Sequence, residues 1–254
     1  MPLDYLNKTD DRSVSIAIIK LPAVVPDNDP MFGGPIFTNP GGPGGSGVTF
    51  LQNAGLKLRN LADKPGIRHY EIISFDPRGV GESRPQLDFL PADLVTRNSM
   101  LYEMRGSGSP QKEGQSVPYR LAMLDAMNSL REQAYEKKDH RDQIAEYVGT
   151  ASVARDMIEM LDRIEESRQL RTITTPGHPD SSEDRIELRK RAEHTEDINR
   201  LQYIGFSYGT VLGNYFASLF PGRVGRMVLD GTSDSVDYAT GPVSLPSPFM
   251  LSLV

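Results

Sequence analysis

The chain contains neither cysteine nor tryptophan in its 254 residues. The missing thiols exclude a disulfide framework, a cysteine nucleophile and any thiolate metal site. Basic residues are outnumbered: 28 Lys and Arg stand against 34 Asp and Glu, a formal net charge of −6. The electrostatic footprint of a nucleic-acid binder or of a protein drawn to anionic membranes is therefore absent. No run approaches the roughly 18 apolar residues of a membrane span, and no signal-like hydrophobic stretch follows Met1. A soluble protein is expected, with its compartment and oligomeric state left open. Histidine is scarce as well. The four histidines, His69, His140, His178 and His194, all precede residue 207.

What is present is an alternation of short β-branched runs and helical stretches. Ser13 to Leu21 and Pro35 to Thr38 read as strands, Val48 to Leu61 as a helix, and Tyr70 to Phe75 as a buried strand. Ala122 to Leu130 and Ala151 to Ile164 carry apolar residues at helical spacing. Residues 84–115 are irregular, and about 167–197 form a charged surface insertion. Leu201 to Phe206 returns as a strand, Tyr208 to Phe220 as a helix and Gly225 to Leu229 as a further strand. Strand, helix, strand with short joins is the pattern of a mostly parallel sheet with helices on both faces. The fold class is α/β.

Gly205-Phe206-Ser207-Tyr208-Gly209 is a G-x-S-x-G pattern. A strand signal directly before it and an apolar helix directly after it supply the strand–turn–helix setting of a nucleophile elbow. In that setting Ser207 is the candidate nucleophile. The glycines let strand and helix approach closely, and helix onset aims the Tyr208 backbone N–H at a developing oxyanion. An ordinary β-turn-α connection with small residues is the plainer reading.

Asn39-Pro40-Gly41-Gly42-Pro43-Gly44-Gly45-Ser46-Gly47 is too rich in glycine and proline for regular structure. No Gly-Lys-Ser/Thr closes it, and it lacks a G-x-G-x-x-G followed by a ribose-binding acid at the right distance, so a phosphate cradle is disfavoured. Its position after an early strand fits the second half of an oxyanion hole, with Gly44 or Gly45 as donor; a tight turn is the alternative. Asp76 and Arg78 follow the Tyr70–Phe75 strand and either line a pocket or pin their loop by charge-assisted hydrogen bonds. Asp230, at the end of the last strand, either orients a histidine or caps a turn.

Together these blocks resemble an α/β-hydrolase of the serine peptidase family that includes proline iminopeptidase and the tripeptidyl aminopeptidases. The resemblance runs from Pro2 to about Gly241 and rests on Pro2-Leu3-Asp4-Tyr5, the loop Asn39–Gly47, Asp76-Pro77-Arg78-Gly79-Val80-Gly81-Glu82-Ser83, and Gly205–Thr210 through Val228-Leu229-Asp230-Gly231. The segment Thr150 to Ile158 also looks like the helix before the elbow strand. The resemblance implies aminopeptidase-type hydrolysis of small peptides through an acyl-enzyme on Ser207, with no metal or organic cofactor. An esterase or acyltransferase of the same fold is the alternative within the class. A catalytically incomplete fragment that acts only as a binding protein is the alternative outside it.

The chain departs from the family pattern after the elbow. On this fold the triad acid and histidine follow the serine, yet the 47 residues after Ser207 contain no histidine. Residues 1–241 are expected to be the N-terminal part of the hydrolase domain. Residues 242–254 form an atypical tail with prolines at Pro242, Pro246 and Pro248 and an apolar finish. A truncated product is expected, with a sheet edge left unpaired and prone to aggregation.

Overall fold

The computed structural model describes residues 1–90, 93–99, 117–137, 139, 143–174 and 200–240. Its strands are β1 (Ile18–Leu21), β2 (Phe32–Asn39), β3 (His69–Phe75), β4 (Leu201–Phe206) and β5 (Val224–Asp230). The helices used below are α1 (Gly47–Ala62), α2 (Val117–Glu136), α3 (Thr150–Thr174), α4 (Tyr208–Leu219) and α5 (Ser235–Thr240). The strands form one sheet in the order β1-β3-β2-β4-β5. β1 runs antiparallel to β3, and the other neighbouring pairs are parallel. The expected α/β class and its mostly parallel sheet are what the chain adopts.

Strand alternation divides the apolar residues between two layers. Phe37, Ile73, Phe75 and Tyr203 point to one face, where they pack with Val153, Met157, Met160 and Leu161 of α3 and Leu212 and Phe216 of α4. Ile36 and Ile72 point to the other, where they meet Leu51 and Leu58 of α1. Fully burying a side chain such as Phe37 or Ile73 contributes roughly 1.5–3 kcal/mol, so this sandwich of α1, sheet and α3/α4 holds the molecule together.

Local chemistry sets the helix starts. Ser46 caps α1 by accepting the Thr49 N–H on its Oγ at 3.0 Å. Gly47 allows α1 to lie against the end of β3, because a Cβ there would collide with the Phe75 carbonyl oxygen. β2 begins at Phe32, earlier than its sequence suggests, because Gly33 lies under the Tyr70 ring, which fills the space a side chain would need.

Buried ion pairs tie the layers to the loops. Arg78 is fully buried, donating from Nε to Asp156 Oδ2 at 2.6 Å and from Nη2 to Asp156 Oδ1 at 2.7 Å. It also donates to the carbonyls of Pro2, at 2.7 Å, and Leu3. Tyr5 completes the group, its hydroxyl 2.7 Å from Asp156 Oδ1 and its ring 5.0 Å from the guanidinium. Burial, then the Asp156 charge, push the Tyr5 phenol up. At the opposite end of the sheet, Glu71 of β3 pairs with Lys20 of β1 and with Arg168 of α3.

Candidate active site

The C-terminal ends of β2, β4 and β5 converge on Ser207. That residue has φ 51 and ψ −121 and is the one non-glycine residue at positive φ among those described. A side chain is held in this region only when its surroundings over-determine it, at a cost of order 1–3 kcal/mol. The surroundings here are specific. Ser207 N–H donates to the Asp230 carbonyl at 2.9 Å. The Ser207 carbonyl accepts from Thr210 N at 2.9 Å and from Thr210 Oγ1 at 2.6 Å. Thr210 Oγ1 in turn accepts from Ser233 N at 3.1 Å, which fastens the loop after β5 to the same turn.

Small residues surround the turn where the strand folds back into α4. A Cβ on Gly205 would collide with the Gly209 carbonyl, and one on Gly209 would lie 2.7 Å from the Asn39 carbonyl oxygen. Tyr203 reaches under the turn and donates its buried hydroxyl to Gly209 O at 2.8 Å; burial pushes that phenol up. The Ser207 side chain itself is exposed. Tyr208, the first residue of α4, carries its side chain away to Thr150 at the start of α3 (Oγ1 to OH, 2.7 Å) and against the Tyr238 ring, 5.3 Å between centroids. Its backbone N–H opens the helix beside Ser207.

The glycine-rich loop lies against this turn, and Gly41 makes the approach. A Cβ on Gly41 (φ +93) would collide with the Phe206 carbonyl and stand 3.0 Å from both Ser207 Cβ and Tyr208 N. Asn39 Oδ1 accepts the Gly41 N–H at 2.9 Å, and Gly41 O accepts the Gly45 N–H at 3.1 Å. Of the two donors suggested by the sequence, Gly45 is therefore engaged within its own loop. Gly44 (φ +96) is exposed, with nothing within 4 Å of the position a Cβ would take. Gly41, which sequence reasoning passed over, is the residue that touches the elbow. The signal was there in the run of consecutive glycines, but spacing alone does not say which one faces the serine.

Asp76 and Arg78 are pins for their loop. Asp76 Oδ1 accepts from Ser46 Oγ at 2.7 Å and Val48 N at 3.0 Å, and Oδ2 from Glu82 N at 2.8 Å. It thus clamps the start of α1, just after the glycine loop, to the turn after β3. Asp230 contributes its carbonyl to the elbow while its side chain is exposed. His69 sits at the opposite end of the sheet, its Nδ1 3.0 Å from Asp63 Oδ2. His140, His178, His194 and the tail 242–254 lie outside the described residues. Among the described residues no cluster of three or more His, Asp or Glu is arranged to hold a metal ion, and no helix is long and apolar enough to cross a membrane.

A mixed five-stranded sheet with helices on both faces, and a serine held at positive φ between strand and helix, are consistent with the α/β-hydrolase fold. Known proteins agree. The chain is 29% identical over 238 residues to serine protease Hip1 of Mycobacterium tuberculosis, covering 92% of this chain and 35% of that protein. It is 28% identical over 231 residues to the tripeptidyl aminopeptidase of Streptomyces coelicolor, covering 91% and 33%. A shorter stretch of 87 residues is 36% identical to carboxylesterase B of Mycobacterium tuberculosis, covering 34% and 15%. The chain thus resembles α/β-hydrolase serine peptidases over most of its length and spans about a third of the length of the curated relatives it matches. No protein-family model matches it.

Proposed function

We propose that residues 1–241 are the N-terminal part of an α/β-hydrolase domain, with an insertion at about 167–197, whose nucleophile is Ser207. The reaction is aminopeptidase-type hydrolysis of a small peptide. Ser207 Oγ attacks the scissile carbonyl and loses its proton to a general base. The oxyanion of the tetrahedral intermediate is held by the Tyr208 N–H and a loop N–H. Of Gly44 and Gly45, Gly44 is favoured for that second donor, because the Gly45 N–H is bonded to the Gly41 carbonyl. Collapse expels the amine, and water then releases the acyl group from the serine. His69 is at the wrong end of the sheet to act as the base, so the base comes from outside the described residues.

The observation that carries this reading is the exposed Ser207 at φ 51 between β4 and α4. The peptide preference is supported by the names of the two relatives matched over most of the chain. Esterase chemistry is the second reading, supported by the stretch resembling carboxylesterase B. A binding role without turnover is the third.

A fluorophosphonate probe tests the nucleophile, since an activated serine displaces its fluoride and becomes phosphonylated. The chain is expected to be labelled at Ser207 and Ser207→Ala not at all. Equal labelling of both, or none of either, refutes the assignment. Peptide amides with free and with acetylated N-termini, set beside simple esters, then separate the substrate classes.

A further inference from the structure

Two backbone donors at the start of α1 are already used. Val48 N–H donates to Asp76 Oδ1 at 3.0 Å, and Thr49 N–H to Ser46 Oγ at 3.0 Å. The second oxyanion donor then falls to the glycine loop ahead of them, and whatever grips that loop decides where the donor stands.

The loop is gripped at both ends. At its start, Asn39 stands in register with Gly205 of β4 and accepts the Gly41 N–H on its Oδ1. At its end, Ser46 donates its hydroxyl to Asp76 Oδ1 at 2.7 Å. Gly47 lies so close to β3 that a Cβ would collide with the Phe75 carbonyl and Ser74 Oγ. Between the two grips the Gly45 N–H bonds back to Gly41 O. Gly44 lies inside this closed turn, next but one to Ser46.

Asp76 is itself held firmly. It is fully buried directly after β3. Its N–H donates to Ala17 O at 3.0 Å, and its carbonyl accepts from Ser83 Oγ at 2.6 Å. Its Oδ2 accepts the Glu82 N–H at 2.8 Å, and a Cβ on Gly81 would collide with that oxygen. β3 pairs with β2, and β2 with β4, which leads into Ser207. Nucleophile and donor loop are thus both referred to one sheet, the loop through Asp76.

We propose that Asp76 is a positioning residue for the oxyanion, holding the Gly44 N–H in place through Ser46. The inference rests on Ser207 as nucleophile and Gly44 as second donor. Misplacing a catalytic group by about 1 Å costs on the order of a hundred-fold in rate, so the carboxylate governs reactivity at an oxyanion it does not touch.

A pair of organophosphates tests this. Paraoxon presents a P=O oxygen to the oxyanion donors, and parathion a P=S sulfur, which is larger and a weaker acceptor. With either, Ser207 Oγ bonds to phosphorus, 4-nitrophenolate leaves and the serine proton goes to the base. Nitrophenolate release gives the two rates, each divided by the rate with hydroxide. Mass spectrometry locates the modified serine, and circular dichroism confirms the fold of each variant. The parent chain is expected to prefer paraoxon, and Asp76→Ala to lose about ten-fold or more of that preference. If Asp76→Ala fails to fold, Ser46→Ala takes its place, with a loss of about three-fold or more expected. A variant slower with both probes but equal to the parent in preference shows a carboxylate that only supports the fold, and overturns the proposal. So does a variant unchanged with either probe, or a parent modified at Ser207 without preference. A parent left unmodified at Ser207 overturns the nucleophile assignment, and the proposal falls with it.

Discussion

Replacing Arg78 by Met removes the charge with which Asp156 is paired. Arg78 and Asp156 have fully buried side chains, and the substitution leaves the Asp156 carboxylate with the hydrogen bond from the Tyr5 hydroxyl. Breaking a buried pair from one side costs about 3–5 kcal/mol, because the surviving charge stays desolvated. The carbonyls of Pro2 and Leu3 lose their guanidinium partner as well, at about 1 kcal/mol each. Against the roughly 5–15 kcal/mol total of a domain, Arg78→Met is expected to remove a third or more. The double variant Arg78→Met/Asp156→Leu removes both charges and is expected to recover about 2 kcal/mol or more of that loss. Urea unfolding followed by circular dichroism, with slopes compared between variants, gives the numbers. A single-variant loss below about 1 kcal/mol, or a double variant no more stable than the single, refutes the account of this cluster.

Three further outcomes follow from the site and its supports. Gly41→Ala forces a side chain into φ +93 and onto the elbow backbone. It should cost about 2 kcal/mol or more and slow fluorophosphonate labelling even where the chain still folds; parent-like stability and labelling would show the loop does not press on the elbow. Tyr203→Phe deletes the donor to the Gly209 carbonyl and should lower stability by about 1–2 kcal/mol in the same unfolding assay, with no change in sheet content. The phenols of Tyr5, Tyr203 and Tyr208 are all pushed up, chiefly by burial. The folded state then holds protons that the unfolded state releases near pH 10, so stability should be unaffected below about pH 9 and fall as the pH rises beyond 10. Phenolate absorbance that appears only on unfolding is the check.

Legibility in the sequence followed from how local each signal is. β4 and α4 stand where the sequence placed them, because G-x-S-x-G between an apolar strand and an apolar helix admits few other conformations. α1 and β3 were readable for the same reason. α3 continues to Thr174, past the point where a charged insertion was expected to begin. Charge density hid the helix, although Arg168 is used to reach Glu71 in the sheet. The strand expected from Ser13 pairs regularly only from Ile18, because Ser13 and Ser15 make isolated bridges to Pro2 and Arg84. The role of Gly41 needed three dimensions: nothing in a run of glycines says which one meets a turn 166 residues away. The pinning roles of Asp76 and Arg78 were within reach, because a carboxylate and a guanidinium at a strand end commonly hold a loop.

The path of α3 separates length variation from the reacting end of the molecule. The helix starts at the elbow, where Thr150 meets Tyr208, and finishes at the far rim, where Arg168 meets Glu71. β4 sets out from that same rim at Leu201 and climbs back to Ser207. The connection between them leaves and re-enters on the side of the sheet away from the serine. The Arg168–Glu71 pair and the pairing of β4 with β2 hold both ends at that rim, so a change of length at this corner stays away from the elbow. It is the natural place to graft an epitope, a fluorophore or a whole guest domain without touching the elbow.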